Sequence, residues 1–157
     1  MQKDENANCK AIVFQLQDEE FAIPVEFVGG IERMMHITRV PQTASFVKGV
    51  INLRGVVTPI IDLRSRFGME QLDYNNATRI IIVTVDNKEV GLIVDQANDV
   101  MDIPQSSIES APNVIGSVNA DYIEGVAKTG DRLLILLDLQ RVLSADNALQ
   151  TPEVEGQ

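Results

Sequence analysis

The sequence predicts an all-β protein, two packed five-stranded barrels with a short C-terminal helix, and three observations carry that prediction. One is composition: 18 Val and 16 Ile stand against 10 Gly, 6 Pro and no Trp in 157 residues. β-Branched side chains pack well on a pleated surface and lose χ1 freedom in helices. The next is punctuation: short stretches with apolar residues at alternate positions are bounded by tight polar turns, the signature of hairpins. The last is an internal duplication. Five short antiparallel strands per copy can close into a small barrel, which removes the exposed edges that invite aggregation.

In chain order, Met1–Lys10 is polar and predicts a flexible tail. Ile12, Phe14 and Leu16 alternate along a strand. Gln17-Asp18-Glu19 turns it, and Glu20–Val25 forms the return strand. The Ile31–Val40 region supplies one further strand. Val47–Leu53 and Val56–Ile61 form a second hairpin. Asp62 caps a single helical turn through Arg66-Phe67, which Gly68 stops as a left-handed residue. The pattern then repeats. Ile12–Ile31 overlays Ile81–Val100 at an offset of 69, and Phe46–Val50 overlays Tyr122–Val126 at 76. Pro59–Leu63 overlays Ile135–Leu139 at the same 76, so seven extra residues fall within Asp102–Asp121. A one-residue slip would turn a strand inside out, so agreement across both blocks carries weight. Asp138 opens a helix over Leu139–Leu149 with Leu139, Val142 and Leu143 facing inward. Acidic Thr151–Gln157 predicts a second tail. One domain over 11–150 results, with copies at about 12–67 and 81–143 and strands free to exchange between them.

Charge and residue inventory exclude several functions. The formal net charge is −10, and the 13 Lys and Arg are scattered. A phosphate-neutralising nucleic-acid surface and direct membrane insertion are both disfavoured. The longest strictly apolar runs, such as Leu133–Leu137, fall far short of the roughly 20 residues a membrane helix needs. Met-Gln-Lys-Asp-Glu-Asn lacks the basic and apolar regions of a secretion signal, and lone Cys9 cannot form an internal disulfide, which points to the cytoplasm. His36 is the only histidine, so no site with two His ligands can form. No phosphate-cradling glycine loop or Cys-x-x-Cys is present, and no cofactor is implied. Asp62 and Asp138 occupy matching repeat positions and could form a proton-sharing dyad, which would make the chain a hydrolase. Their contexts, Ile61-Asp62-Leu63 and Leu137-Asp138-Leu139, lack the small hydroxyl-Gly neighbours of such active sites, and two helix caps explain them equally well.

The copies differ informatively at one hairpin. The first reads Asn52-Leu53-Arg54-Gly55-Val56, whereas the second has Gly130 in place of Arg54. An Arg there serves either as a packed stem with its guanidinium on a carbonyl or as a recognition group.

At this hairpin the chain resembles the CheW family of bacterial chemotaxis coupling proteins. The motifs are Glu20–Val25, Ile37–Pro41, Val47–Gly55, Pro59–Arg64, Gly91–Asp95 with Asn98–Val100, and Asp131–Leu136. The resemblance runs from about Ala11 to Leu143. It implies two intertwined SH3-like barrels and no enzymatic activity. It also implies a cytoplasmic adaptor, monomeric in isolation and recruited to membrane-anchored arrays. Its partners would be the tips of methyl-accepting chemoreceptors and the regulatory domain of the histidine kinase CheA. By the same resemblance Arg54, Gly49, Gly91, Ala97 and Val100 match receptor-contact positions. Val25, Val28 and Gly30 match the main kinase contact, and Glu109 with Val114 the secondary ring contact. Val25, Val28 and Val100 also fit a core pattern, and Gly49 and Gly91 also fit turns or close strand approach. Gly29-Gly30 stands where family members often carry a Glu, and Glu109 where a basic residue is common. An adaptor of another chemosensory pathway, such as twitching motility, fits the same motifs, and a ligand-binding barrel would require an interior cavity.

Overall fold

The computed structural model describes residues 8–41, 43, 46–110, 114–115 and 118–144. Strands β1 (Asn8–Leu16), β2 (Glu19–Pro24), β3 (Val28–Arg33), β4 (Val47–Leu53) and β5 (Val56–Asp62) precede helix α1 (Leu63–Arg66). Then come β6 (Arg79–Val85), β7 (Lys88–Val94), β8 (Gln96–Pro104), β9 (Ile108–Glu109), β10 (Val114–Ile115), β11 (Val118–Asn119), β12 (Ile123–Thr129) and β13 (Arg132–Leu137). Helix α2 covers Leu139–Ser144, and the rest of the helix expected to Leu149 lies outside the described residues, as do Met1–Ala7 and Thr151–Gln157. Asn8–Lys10, assigned to a flexible tail from sequence, are instead paired strand: Asn8 faces Pro104, Cys9 faces Ile103 and Lys10 faces Asp102. Their polar character reflects a strand end at the sheet surface.

The all-β expectation holds. Two main sheets form, ordered β8-β1-β2-β13-β12-β9 and β3-β6-β7-β5-β4. The duplication maps one order onto the other, and each sheet takes a hairpin from one copy and its remaining strands from the other. The copies meet through two parallel pairings, β2 with β13 and β5 with β7. Each sheet also curls back on itself. β9 follows β8 after one 3-10 turn and pairs with β12, and Thr38, just beyond β3, bridges Val50 of β4. Thr38 and Glu109 thus close equivalent seams 71 residues apart. Of the seven extra residues, two precede Glu109 and five follow it, around the small β10–β11 pair.

Strand alternation explains three apolar clusters. Ile12, Phe14 and Leu16 of β1 and Ile81, Val83 and Val85 of β6 point into a central core between the sheets. Ala11 and Val13 line the inside of the six-stranded sheet, and Ile80 and Ile82 the inside of the five-stranded one. Both faces of these strands are buried, which is why they read as continuous apolar runs. The two interiors balance volume differently. Gly91 lies beside Ile60 and Ile80, whereas its repeat mate Ala22 lies with Ala11 and Val13. Between the sheets, Phe14, Phe21 and Phe67 stack and Tyr122 tilts against Phe67, at centroid spacings of 5.4–6.0 Å. Buried Arg66 lies over Phe46 and Tyr122, themselves repeat mates, and donates to the Val142 carbonyl at 2.9 Å.

One ion cluster ties β2, β8 and β13 of the six-stranded sheet together. Arg132 donates to both Glu20 oxygens, at 3.0 and 2.8 Å, and to Asp99 at 3.1 and 3.2 Å. These bonds hold the Glu20 carboxyl below its usual 4.5. A depressed folded value gives stability that is present above pH 4.5 and lost as pH falls through the folded value. Urea unfolding followed below pH 4.5 is therefore expected to show a steeper acid loss in the wild type than in Arg132→Met.

Candidate functional site

Arg54 sits at the tip of the β4–β5 hairpin. Leu53 pairs with Val56, leaving Arg54-Gly55 as a two-residue turn with φ of +53° and +85°. That backbone belongs to a type I′ turn, which matches the twist of the strands and normally takes Asn or Gly first. The Asn52 carboxamide oxygen accepts from the Gly55 N–H at 2.9 Å and fixes the turn. The Arg54 side chain is 70% exposed and makes one long contact, 3.6 Å to Glu32 on β3. Beside it Val56 and Val57 are exposed.

The other expected receptor positions divide. Ala97 is half-buried and Val100 exposed on β8, where Val100 pairs with Ile12. Gly49 and Gly91 are buried. A Cβ on Gly49 would stand 2.1 Å from the Thr38 carbonyl oxygen, at a φ of +147°. A Cβ on Gly91 would stand 2.5 Å from Ile60 Cδ1 and 2.7 Å from Ile80 Cγ2. Both glycines act through packing and support the surface from beneath. A Cβ on Gly125, the repeat mate of Gly49, would likewise stand 2.9 Å from Glu109 O across the second seam.

The expected kinase positions lie largely around another part of the molecule. Val25 belongs to a single 3-10 turn after β2 and is half-buried, like Val28 at the start of β3. Val25 and Ile108 line the same opening at one end of the six-stranded barrel, and Glu109, next in chain, is exposed at its seam. Gly30 follows the register shift of β3, with room for a side chain, since its nearest Cβ neighbour would be Glu32 at 3.5 Å. Val114 lies in β10.

The two aspartates weighed as a dyad are engaged separately. Asp62 accepts from the Arg64 N–H at 2.9 Å and from the Tyr74 hydroxyl at 2.7 Å, capping α1. Asp138 accepts from the Arg141 N–H at 3.2 Å, capping α2. Among the described residues no group of three or more His, Cys, Asp and Glu is placed to hold a metal ion.

Some surface residues escaped the sequence reading. Ile31, Val57 and Leu133 are exposed apolar residues; Leu133 is the repeat mate of Val57, and Ile31 is the mate of Val100, already matched to the receptor contact and exposed as well. The offsets of 69 and 76 already paired them, but alternation alone assigns such positions to a core. Glu26 and Glu124 gave no signal, because they are far apart in the chain and share surroundings only in the lining of one opening.

No helix among the described residues is long and apolar enough to cross a membrane. The chain is 34% identical to the scaffolding protein TtCheW of Thermoanaerobacter tengcongensis, whose crystal structure superposes with a TM-score of 0.84, covering 92% of this chain and 98% of that one. The chemotaxis protein CheW of Bacillus subtilis is 44% identical over 139 residues, 88% of this chain and 89% of the relative. CheW of Helicobacter pylori is 34% identical over 145 residues, 92% and 87% respectively. The CheW-like domain model matches residues 10–147, and with these relatives it shows that the chain belongs to the CheW-like domain family.

Proposed function

We propose that this protein is a non-enzymatic chemotaxis adaptor, joining the cytoplasmic tips of methyl-accepting chemoreceptors to the regulatory domain of the histidine kinase CheA. Family membership supports the reading, and one observation carries its receptor half. Arg54 holds a left-handed backbone that costs a non-glycine residue about 1 kcal/mol, where its repeat mate is Gly130 at φ +60°. Its one ion contact, 3.6 Å to Glu32, is also looser than those of Arg132, which meets two carboxylates, and of Arg64, which is bidentate on Asp95. A strained, exposed and barely paired guanidinium is what a recognition group looks like. With exposed Val56 and Val57 beside it, the hairpin tip suits an apolar helical surface that ends in an acceptor.

The kinase half rests on Val25, Val28 and Gly30, with Glu109 and Val114 at a secondary contact. Asp62 and Asp138, each spent on a helix cap, do not favour hydrolysis.

Arg54→Glu is expected to weaken binding of a receptor cytoplasmic fragment at least tenfold while binding of the CheA regulatory domain is unchanged. Arg54→Gly should lose the receptor equally and melt no lower than wild type, since glycine relieves the turn. Pull-down with each partner and thermal melting check both variants. Undiminished receptor binding by a folded Arg54→Glu removes the hairpin tip from the site.

A further inference from the structure

One end of the six-stranded barrel opens into a cavity of about 520 Å³. Val25, Ile108 and Leu136 give it apolar walls, and Glu26 and Glu124 stand among its lining residues with Cys9. Lys10 is also there, but it is engaged with Asp102 at 3.4 Å. Glu26 and Glu124 have no ion-pair partner among the described residues. Their field is felt inside: burial pushes the Cys9 thiol above its usual 9.0, and both carboxylates push it further. Glu109, exposed beside Ile108, adds a negative charge at the same end.

An apolar wall with an unneutralised acidic rim suits a ligand that is apolar along its length and cationic at its tip. Arginine and lysine side chains have that form, with methylene stems that lie on apolar surface while the charged head stays at the rim. We propose that this opening is a socket for one basic side chain presented by a partner protein. Assigning that partner to the CheA regulatory domain rests on the proposed function, because Val25 lines the socket. The acidic chain, at −10 overall, would draw such a basic surface in and orient it before contact.

The socket can be tested without the kinase. In the full-length protein, N-acetylarginine amide at millimolar concentration should shift the methyl resonances of Val25, Ile108 and Leu136. N-acetylglutamine amide should not, and the shifts should vanish in Glu26→Gln/Glu124→Gln. Both replaced side chains are exposed, so the double variant should melt with the wild type. Absent shifts, or shifts that persist in the double variant, overturn the socket. A second measurement decides who fills it. If CheA presents the residue, the double variant binds its regulatory domain roughly tenfold more weakly at low salt, with receptor binding unchanged. Equal binding of wild type and variant overturns that assignment. Failure of the wild type to bind CheA overturns the kinase half of the proposed function and leaves the socket standing on the resonance shifts.

Discussion

Gly49→Val is expected to unfold this protein at moderate temperature. Two penalties act at one atom. The φ of +147° lies where L-residues are strained, and the new Cβ would stand 2.1 Å from the Thr38 carbonyl oxygen and 2.8 Å from its carbon. Neither partner can step aside cheaply, because the Thr38 N–H donates to Val50 O at 2.9 Å and the Val50 N–H donates to Thr38 O at 2.8 Å. Those two bonds are the only described bridge that returns the chain after β3 to β4. Backbone strain and overpacking together cost about 4 kcal/mol, a large share of the 5–15 kcal/mol typical of a domain. The melting temperature should fall by roughly 10 °C or more. Gly68→Ala is the control: its φ is +75° with nothing within 4 Å of the added Cβ, so it should lose only about 1 kcal/mol. Melting the two variants side by side separates clash from backbone strain. A Gly49→Val protein as stable as Gly68→Ala would mean that the seam opens at little cost.

The contrast between Gly49 and Arg54 marks how far the sequence could be read. Hairpins were legible because each is local: alternation fixes two strands and the polar residues between them fix the turn. The duplication was legible because both copies solve the same packing problem, down to Asp62 and Asp138 as helix caps. Which copy supplies which strand was not, since the parallel pairings of Glu20–Ala22 with Leu134–Leu136 and of Ile60–Asp62 with Gly91–Ile93 join segments that share no local signal. Gly49 and Gly91 both read as contact or packing positions, and only coordinates show the carbonyl and methyl groups where their Cβ atoms would go. Arg54 stood out in sequence by its absence from the second copy, and the structure adds its strain and exposure. Asn8–Lys10 misled for the opposite reason. A short polar stretch at a chain end has the composition of a tail even when its backbone is paired.

Asp95→Ala should cost more than its partial exposure suggests, because its loss strands a charge that is better buried. Arg64 is 7% exposed. Its Nε donates to Asp95 Oδ1 at 2.8 Å, its Nη2 donates to Oδ2, and its Nη1 donates to the Glu70 carbonyl at 2.8 Å. Asp95 also accepts from the Gln17 N–H at 2.8 Å, and its own N–H donates to Gln15 O at 3.0 Å. One carboxylate therefore ties α1, the β1–β2 turn and the corner from which β8 departs with Ala97 and Val100. Without it the guanidinium keeps a single carbonyl, and the loss is expected at about 3 kcal/mol in urea unfolding. Arg64→Met should be milder, since it removes the charge that needs solvation together with its partner's bonds. The double variant should recover part of the Asp95→Ala loss, giving a coupling of roughly 2 kcal/mol in the double-mutant cycle. Additive losses would show that Arg64 finds other partners or water, and that the corner is held by the backbone alone. If the coupling is present, Asp95→Ala should also weaken receptor binding more than its stability loss explains, because β8 is aimed from that corner.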